Sequence, residues 1–319
     1  MSTHDVHVVF GAGGGAGHAI IRELATRGLR VRAVSRSGSG SFPAGVEVLR
    51  ADASDAASAL RASQGATSIY HAVGAPYHAW AQAFPPIMDA LIGAASATGA
   101  RLVYVDNHYA YGPHEGALTE DLPSRAPGAK GQLRARLAER LMQAHASGQV
   151  RATIGRGAEF YGPGVDVAYT GSAWFRSILE GKRAMWVGGL DQPHALSYID
   201  DFAHGIVTLG TRTEALGQIW HIPTGEAMTG RQFLALAYDV AGQPAQYGSL
   251  PTAAVRLVGL WDKQAREFAE VVYTYQRPFL VSGAKFTRTF GFTPTPAREA
   301  LRATFAALQG APVLETAQT

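Results

Sequence analysis

A run of small residues, Gly11-Ala12-Gly13-Gly14-Gly15-Ala16-Gly17, places glycines at 11, 14 and 17. That spacing suits bare backbone amides meeting a pair of linked phosphates. The first glycine lets a chain turn sharply after a strand. Gly13 and Gly14 let the backbone approach a pyrophosphate, and Gly17 lets a helix pack close against the strand. A helix opening here adds unpaired N–H groups and the positive end of its dipole. The ligand implied is a dinucleotide. At the end of the second strand, where an Asp or Glu would bond an adenosine ribose, the chain has Ser35-Arg36-Ser37. Arg36 can grip a 2′-phosphate and stack on adenine, with Arg32 nearby. NADP(H) is therefore the preferred cofactor and NAD(H) the alternative. Asp52 follows the third strand and can bond the adenine amino group or cap the next helix.

The elements around these residues alternate. Val6–Phe10 reads as a buried strand, and Ala19, Ile20, Leu24 and Ala25 as a helix closed by Gly28. Leu29–Ser35 and Val46–Leu49 are further strands, then a short helix over Ala53–Ser63 begins near Ser54 or Asp55. Strand Ser68–Val73 precedes a helix over Pro85–Thr98 with its prolines in the first turn. Strand Arg101–Val105, helix Ala129–Ala146 and strand Val150–Gly155 complete the rhythm. Six strands separated by helices predict an α/β fold with a doubly wound parallel Rossmann sheet. From about Glu159 the pattern loosens into a smaller substrate lobe. The expected division is 1–158 for the dinucleotide domain, with a segment at about 193–225 returning to it. Residues 159–192 and 226–319 then form the lobe. In the returning segment, Leu196–Ile199 and Ile219–Ile222 are candidate extra strands of the sheet.

Composition narrows the function classes. The 319 residues are 47% hydrophobic and 17% charged, enough to bury a large core. The net charge of +3, without a Lys/Arg run, argues against a nucleic-acid partner. The chain has no cysteine, which removes disulfides, thiolate nucleophiles and Cys–zinc sites and suits a reducing cytoplasm. No apolar stretch is long enough to span a membrane. Met1–Asp5 lacks the layout of a signal peptide, and the tail from Pro312 reads as frayed. The acidic and histidine residues of 106–121 lack metal-ligand spacing, so no metal is expected.

These motifs resemble the extended or atypical short-chain dehydrogenase/reductases, the NAD(P)-dependent epimerase/dehydratase superfamily. The likeness covers nearly the whole chain. It rests on the glycine run, Asp52, His71-Ala72-Val73-Gly74, Tyr111-Gly112-Pro113, Arg156, Tyr161-Gly162-Pro163-Gly164 and Tyr198-Ile199-Asp200-Asp201. It implies cofactor contacts from Ala72, Val73 and Gly74, and a Ser/Thr–Tyr–Lys set that moves the proton. The chain departs from that set. Four residues before the Tyr111-Gly112 pair stands Asn107. Anchoring on Ala138-Glu139 puts Gly131 at the Tyr position and Ala135 at the Lys position. Lys130 and Arg134 lie one residue earlier, about 100° around the helix, and rotation would expose Leu133, Leu137 and Leu141. The two cations are expected near the cofactor, touching ribose, phosphate or an anionic substrate.

A carbonyl reduction needs a donor beside the oxygen that gains charge. Asn107 and Tyr109 are the candidates, with Lys130 or Arg134 as electrostatic support that lowers the Tyr109 pKa. Tyr77, His78 and Trp80 suit a small, ring-bearing or apolar substrate. Asp201 reads as the N-cap of a helix over Phe202–Leu209. The leading expectation is an NADP(H)-dependent oxidoreductase of a carbonyl or enone compound. The alternatives are an epimerase or dehydratase that retains its cofactor, and a redox-silent NADP(H)-binding sensor. Helices 85–98 and 129–146 resemble those of a four-helix dimer interface, so a homodimer is expected.

Overall fold

The computed structural model describes residues 6–310. The segments read as lacking a signal layout (1–5) and as a frayed tail (from 312) lie outside the described residues.

Strand β1 (Val6–Phe10) is buried along its whole length, as a central strand covered on both faces must be. Helix α1 (Gly15–Thr26) follows and buries Ile20, Ile21 and Leu24. Then come β2 (Arg30–Ser35), β3 (Glu47–Arg50), α2 (Ala56–Ala62), β4 (Ala66–His71), α3 (Trp80–Thr98), β5 (Arg101–Asn107), α4 (Ala129–Ala146) and β6 (Arg151–Gly157). A seventh strand, β7 (Ile219–His221), is added late in the chain. All seven are parallel, in the order β7-β6-β5-β4-β1-β2-β3. Strand order reverses between β1 and β4, the switch point outside whose carboxyl ends open α/β sheets bind ligands. One core packs α3 and α4 on the first face of the sheet, and a second packs α1 and the later helix α6 (Ile199–Thr211) on the other.

Helix α3 starts at Trp80, five residues before the expected Pro85, so Pro85 and Pro86 fall in its second turn. Their missing N–H groups leave the carbonyls of Ala81 and Gln82 without helical donors. Both residues are solvent-exposed, so water can serve instead. Trp80 anchors the earlier start: its ring is buried and its indole N–H donates to Ala75 O at 2.9 Å. Leu133, Leu137 and Leu141 of α4 are buried, which fixes that helix's rotation.

The lobe has its own apolar cluster around Phe175, Trp186, Phe233, Leu234 and Tyr275. It comprises α5 (Ser172–Leu179), α7 (Gly230–Ala241), α8 (Thr252–Val258), α9 (Lys263–Ala269), and α11 (Ala297–Gly310) beyond α10 (Ala284–Phe290). Segment Ala184–Val187 pairs in parallel with Tyr247–Leu250. Of the two candidate extra strands, Ile219–His221 joins the sheet beside β6. Leu196–Tyr198 does not; it pairs with Glu159–Tyr161 outside the sheet. Helix α6 begins at Ile199 with Tyr198 as its N-cap residue, so Asp201 lies inside the first turn. There its carboxylate accepts from Thr295 N at 2.8 Å and Thr295 Oγ1 at 2.6 Å, tying the lobe's last segment to α6. No helix among the described residues is long and apolar enough to cross a membrane.

Candidate active site

The glycine run forms a tight cradle. Gly11 has φ +88°, and a Cβ there would run into the Ala72 carbonyl at the end of β4. A Cβ on Gly17 would strike the Gly11 carbonyl, so α1 sits directly on the turn. Gly13, by contrast, has open space in front of it. Gly14 is the N-cap residue of α1; no side chain caps this helix, and no acidic residue stands in its first turn. The N-terminal amides of α1 are thus left to a ligand, and the dipole favours an anion. These features fit a dinucleotide pyrophosphate. Ala72 N is held by Phe10 O at 2.9 Å, and Val73 and the exposed Gly74 follow it along the cleft.

At the adenosine end, Arg36 is exposed and makes no hydrogen bond or ion pair with the described residues. Arg32 does not share its place. It is consumed by Glu47 (2.8 Å) and the carbonyls of Ala62 and Gln64 (2.8 and 2.9 Å), at the other end of β2. Asp52 is not the cap of α2 either, since Asp55 takes that role through Ser58 N at 2.7 Å. Asp52 instead accepts from the Ser54 hydroxyl and amide, which with the charge of Arg36 hold its pKa down.

The residues expected to do the chemistry are separated by their partners. Asn107 ends β5 half-buried, and its Oδ1 accepts from Tyr109 N at 3.0 Å, leaving its amide N–H groups for another acceptor. The Tyr109 hydroxyl is 3.0 Å from that of Tyr77, and its ring stacks on Trp80. Its pKa moves opposite to expectation. Burial raises it well above 10, and the negative charge of Glu159 adds to the effect. Tyr109 is therefore a neutral O–H donor.

Neither cation reverses this, because Lys130 is held by two carboxylates and Arg134 shares one carboxylate with Arg156. Lys130 Nζ pairs with Glu267 at 2.5 Å and Glu270 at 3.2 Å, while its backbone N–H donates to Glu270 at 2.6 Å. It thereby ties α9 and its C-terminal cap to the start of α4. Arg134 is buried among the Trp80, Phe84 and Tyr104 rings and donates to Tyr104 Oη at 2.7 Å. It also reaches Asp106 at 3.5 Å, and Asp106 takes Arg156 Nε at 2.9 Å on its other oxygen. Arg156 lies under the Tyr111 ring, and the Tyr111 hydroxyl meets His221 Nε2 at 2.6 Å. This buried chain, with neutral His221 pushed down to about 3 by burial, is structural support beneath the site. Lys130→Met should cost about 1–3 kcal/mol, between exposed and buried ion pairs. It should also speed hydrogen exchange across α9; unchanged exchange there would contradict the tether.

Tyr77, Tyr109, Tyr169, Tyr273 and Glu159, each half-buried, converge above these groups at the carboxyl edge of the sheet, where this fold keeps its ligand cleft. In the sequence Glu159 marks only the point where the rhythm changes. One signal was available: strand pairing sets Gly157 opposite Asn107, so a carboxylate two residues on stands at the sheet's ligand-binding edge.

Residues 7–222 match the model of the NAD dependent epimerase/dehydratase family. The chain belongs to this family. The match runs from β1 to β7 and so contains the cradle, Asn107, Tyr109 and Glu159. No curated protein sequence gave a match. Among solved structures, the chain is similar to UDP-glucose 4-epimerase of Thermus thermophilus in complex with NAD, at 20% identity and a TM-score of 0.76, over 96% of this chain and 100% of that one. It is also similar to UDP-glucuronic acid 4-epimerase of Bacillus cereus with UDP-glucuronic acid and NAD (18%, TM-score 0.75, 95% and 99%). A third is UDP-glucose 4-epimerase of Thermotoga maritima with UDP-glucose (17%, TM-score 0.78, 95% and 98%). At these identities the likeness is one of fold, and it includes the lobe. Gly131, expected from the sequence at the family's Tyr position, has no room for a side chain. A Cβ on Gly131 would collide with the Ala126 methyl and the Tyr109 carbonyl. The loop carrying Tyr109 fills the space a tyrosine at 131 would need.

Proposed function

We propose that the protein is a hydride-transfer enzyme of the epimerase/dehydratase type, acting on a carbinol or carbonyl carbon of a small substrate and retaining its nicotinamide dinucleotide through the cycle. Bound there, the dinucleotide supplies the hydride acceptor and donor. The observation that carries this reading is the enclosure of the cleft. The Gly164 carbonyl would lie 2.8 Å from a Cβ on Gly15, so the loop after Tyr161 rests on the first turn of α1. Lys130 ties α9 down at the far side. Family membership and neighbours crystallised with NAD support cofactor retention better than they support a carbonyl or enone reductase. The aromatic wall favours a ring-bearing, uncharged substrate. The test is to load the protein with NADP+ and pass it through gel filtration. About one equivalent should remain bound; complete loss in a single passage would point instead to a reductase that exchanges cofactor every turnover.

NADP(H) remains the proposed cofactor, on the strength of Arg36, exposed and without an ion pair or hydrogen bond among the described residues. Its guanidinium forms charge-assisted bonds with a 2′-phosphate worth about 1.5–3 kcal/mol. Arg36→Ser should weaken NADP+ binding roughly 10- to 100-fold and leave NAD+ binding nearly unchanged, as read by calorimetric titration. Equal losses for both would remove the preference. A homodimer is part of the same proposal. Helix α3 turns Asp89, Gly93 and Ser96 outward and α4 turns Arg136, Glu139 and Arg140 outward, with Arg140 and Asp89 ion-paired at 2.5 Å.

A further inference from the structure

The Lys of the family's proton-transfer set has no counterpart here, since Lys130 and Arg134 are both committed elsewhere. The cleft does contain one other ionisable group able to exchange a proton with a substrate. Glu159 stands just beyond β6, across the sheet edge from Asn107 and Tyr109. Its Oε1 accepts from Tyr169 N at 3.1 Å. The Tyr275 hydroxyl, buried and without a well-formed hydrogen bond, lies beside it. Its charge is felt by Tyr77, Tyr109, Tyr169 and Tyr275, which come from four separate segments and converge on it. Behind them Tyr273 faces Tyr109, Glu270 faces Tyr273, and Arg134 faces Tyr77. Among the described residues no cation is paired with Glu159.

Two properties suit this carboxyl to proton transfer. As a residue it is half-buried rather than fully enclosed, and it stands at the sheet edge where open α/β sheets bind their ligands. Burial raises its pKa, moving it toward neutral pH, where a general base is most effective. The tyrosine pair supplies the complementary group. One hydroxyl of the Tyr77–Tyr109 bond is donated inside the pair, which leaves the other O–H free to donate into the cleft.

We propose that Glu159 is the catalytic acid–base of this site, working with the hydrogen-bonded Tyr109–Tyr77 pair in place of the family's Tyr–Lys couple. The proposal rests on the hydride-transfer reading above. In the oxidative direction the substrate C–H bond would give up its electron pair as hydride, for which a bound oxidised nicotinamide would be the acceptor. The substrate O–H bond breaks and its proton passes to the Glu159 carboxylate, forming C=O and a neutral carboxyl. A tyrosine O–H donates to the substrate oxygen throughout. In the reductive direction the carboxyl returns the proton.

The test has two arms on the full chain. The first needs neither substrate nor dinucleotide. An infrared pH titration of the carboxyl bands should include a group titrating above the ordinary glutamate range, distinct from buried Asp201, whose carboxyl is also raised. Glu159→Gln should remove it and Tyr109→Phe should shift its midpoint. No such group, or a midpoint indifferent to Tyr109→Phe, would overturn the proposal. The second arm follows reduction of bound NADP+ by a panel of secondary alcohols. With any alcohol that reacts, the rate should rise with pH through the Glu159 titration. Glu159→Gln should abolish that rise and lower the rate about 100-fold or more, while Glu159→Asp restores part of it. A Gln variant that keeps the wild-type pH limb overturns the role. Failure to bind NADP+ at all would instead strike the hydride-transfer reading, and the infrared arm would still decide whether Glu159 and Tyr109 are coupled. Thermal melts of each variant separate these effects from misfolding.

Discussion

Asp106→Ala should destabilise the protein by about 3–5 kcal/mol, the range seen when one partner of a buried ion pair is removed. The Asp106 side chain is fully buried and serves two guanidiniums, Arg156 at 2.9 Å and Arg134 at 3.5 Å. Arg156 is itself 2% exposed and Arg134 8%. Neither can leave the interior without breaking other contacts. Arg134 is wedged between Trp80 and Phe84, and Arg156 lies against Tyr111. Losing the carboxylate leaves two like charges facing an empty space in a region of low dielectric. Asp106→Asn keeps the shape and one acceptor oxygen but loses the charge, so it should fall between wild type and the alanine variant. Urea melts give the comparison. A loss below about 1 kcal/mol for alanine would mean that water reaches these arginines.

Gly17→Val should all but abolish dinucleotide binding. Even a Cβ at 17 meets the Gly11 carbonyl, and α1 cannot back away without unpacking Ile20, Ile21 and Leu24, which lie on the same face and are buried in the core. The overpacking should cost about 1–3 kcal/mol of stability. The displaced turn also carries the amides that face the phosphates. Losing two charge-assisted bonds, at about 1.5–3 kcal/mol each, lowers affinity by roughly 100-fold or more. Gly13→Ala is the informative partner variant. Its Cβ meets nothing in the protein, so the fold should tolerate it. The methyl nevertheless projects from the turn that a pyrophosphate would approach, so binding should fall while the melting temperature holds. Equal losses of stability in both variants would argue that the turn is only a packing device.

The residues legible in the sequence are those whose role follows from backbone geometry. The glycine turn and the alternating strands each obey a local rule, and the parallel sheet and its switch point follow from them. Residues whose role depends on partners far along the chain are not legible. Lys130 is expected beside the cofactor, yet Glu267 and Glu270, more than a hundred residues later, take its charge. Arg134 is expected to act on Tyr109 but spends its charge on Tyr104 and Asp106. The expected sign of the Tyr109 shift fails for the same reason, because burial and Glu159 outweigh cations that are already paired. Asp201 illustrates it on the small scale: its cap role is plausible locally, but Thr295 claims the carboxylate. Glu159 carries no motif at all, and only the register of β5 against β6 places it at the reacting edge.

The most direct test of the whole account is a calorimetric titration of the purified chain with NADP+ and with NAD+, after any resident nucleotide has been stripped. The account predicts saturable binding of one dinucleotide per chain, tighter for NADP+ than for NAD+. Tighter binding of NAD+ would reassign Arg36 and leave the cradle standing. No heat of binding with either, from protein that melts cooperatively, would contradict the reading of the Gly11–Gly17 turn on which everything else depends.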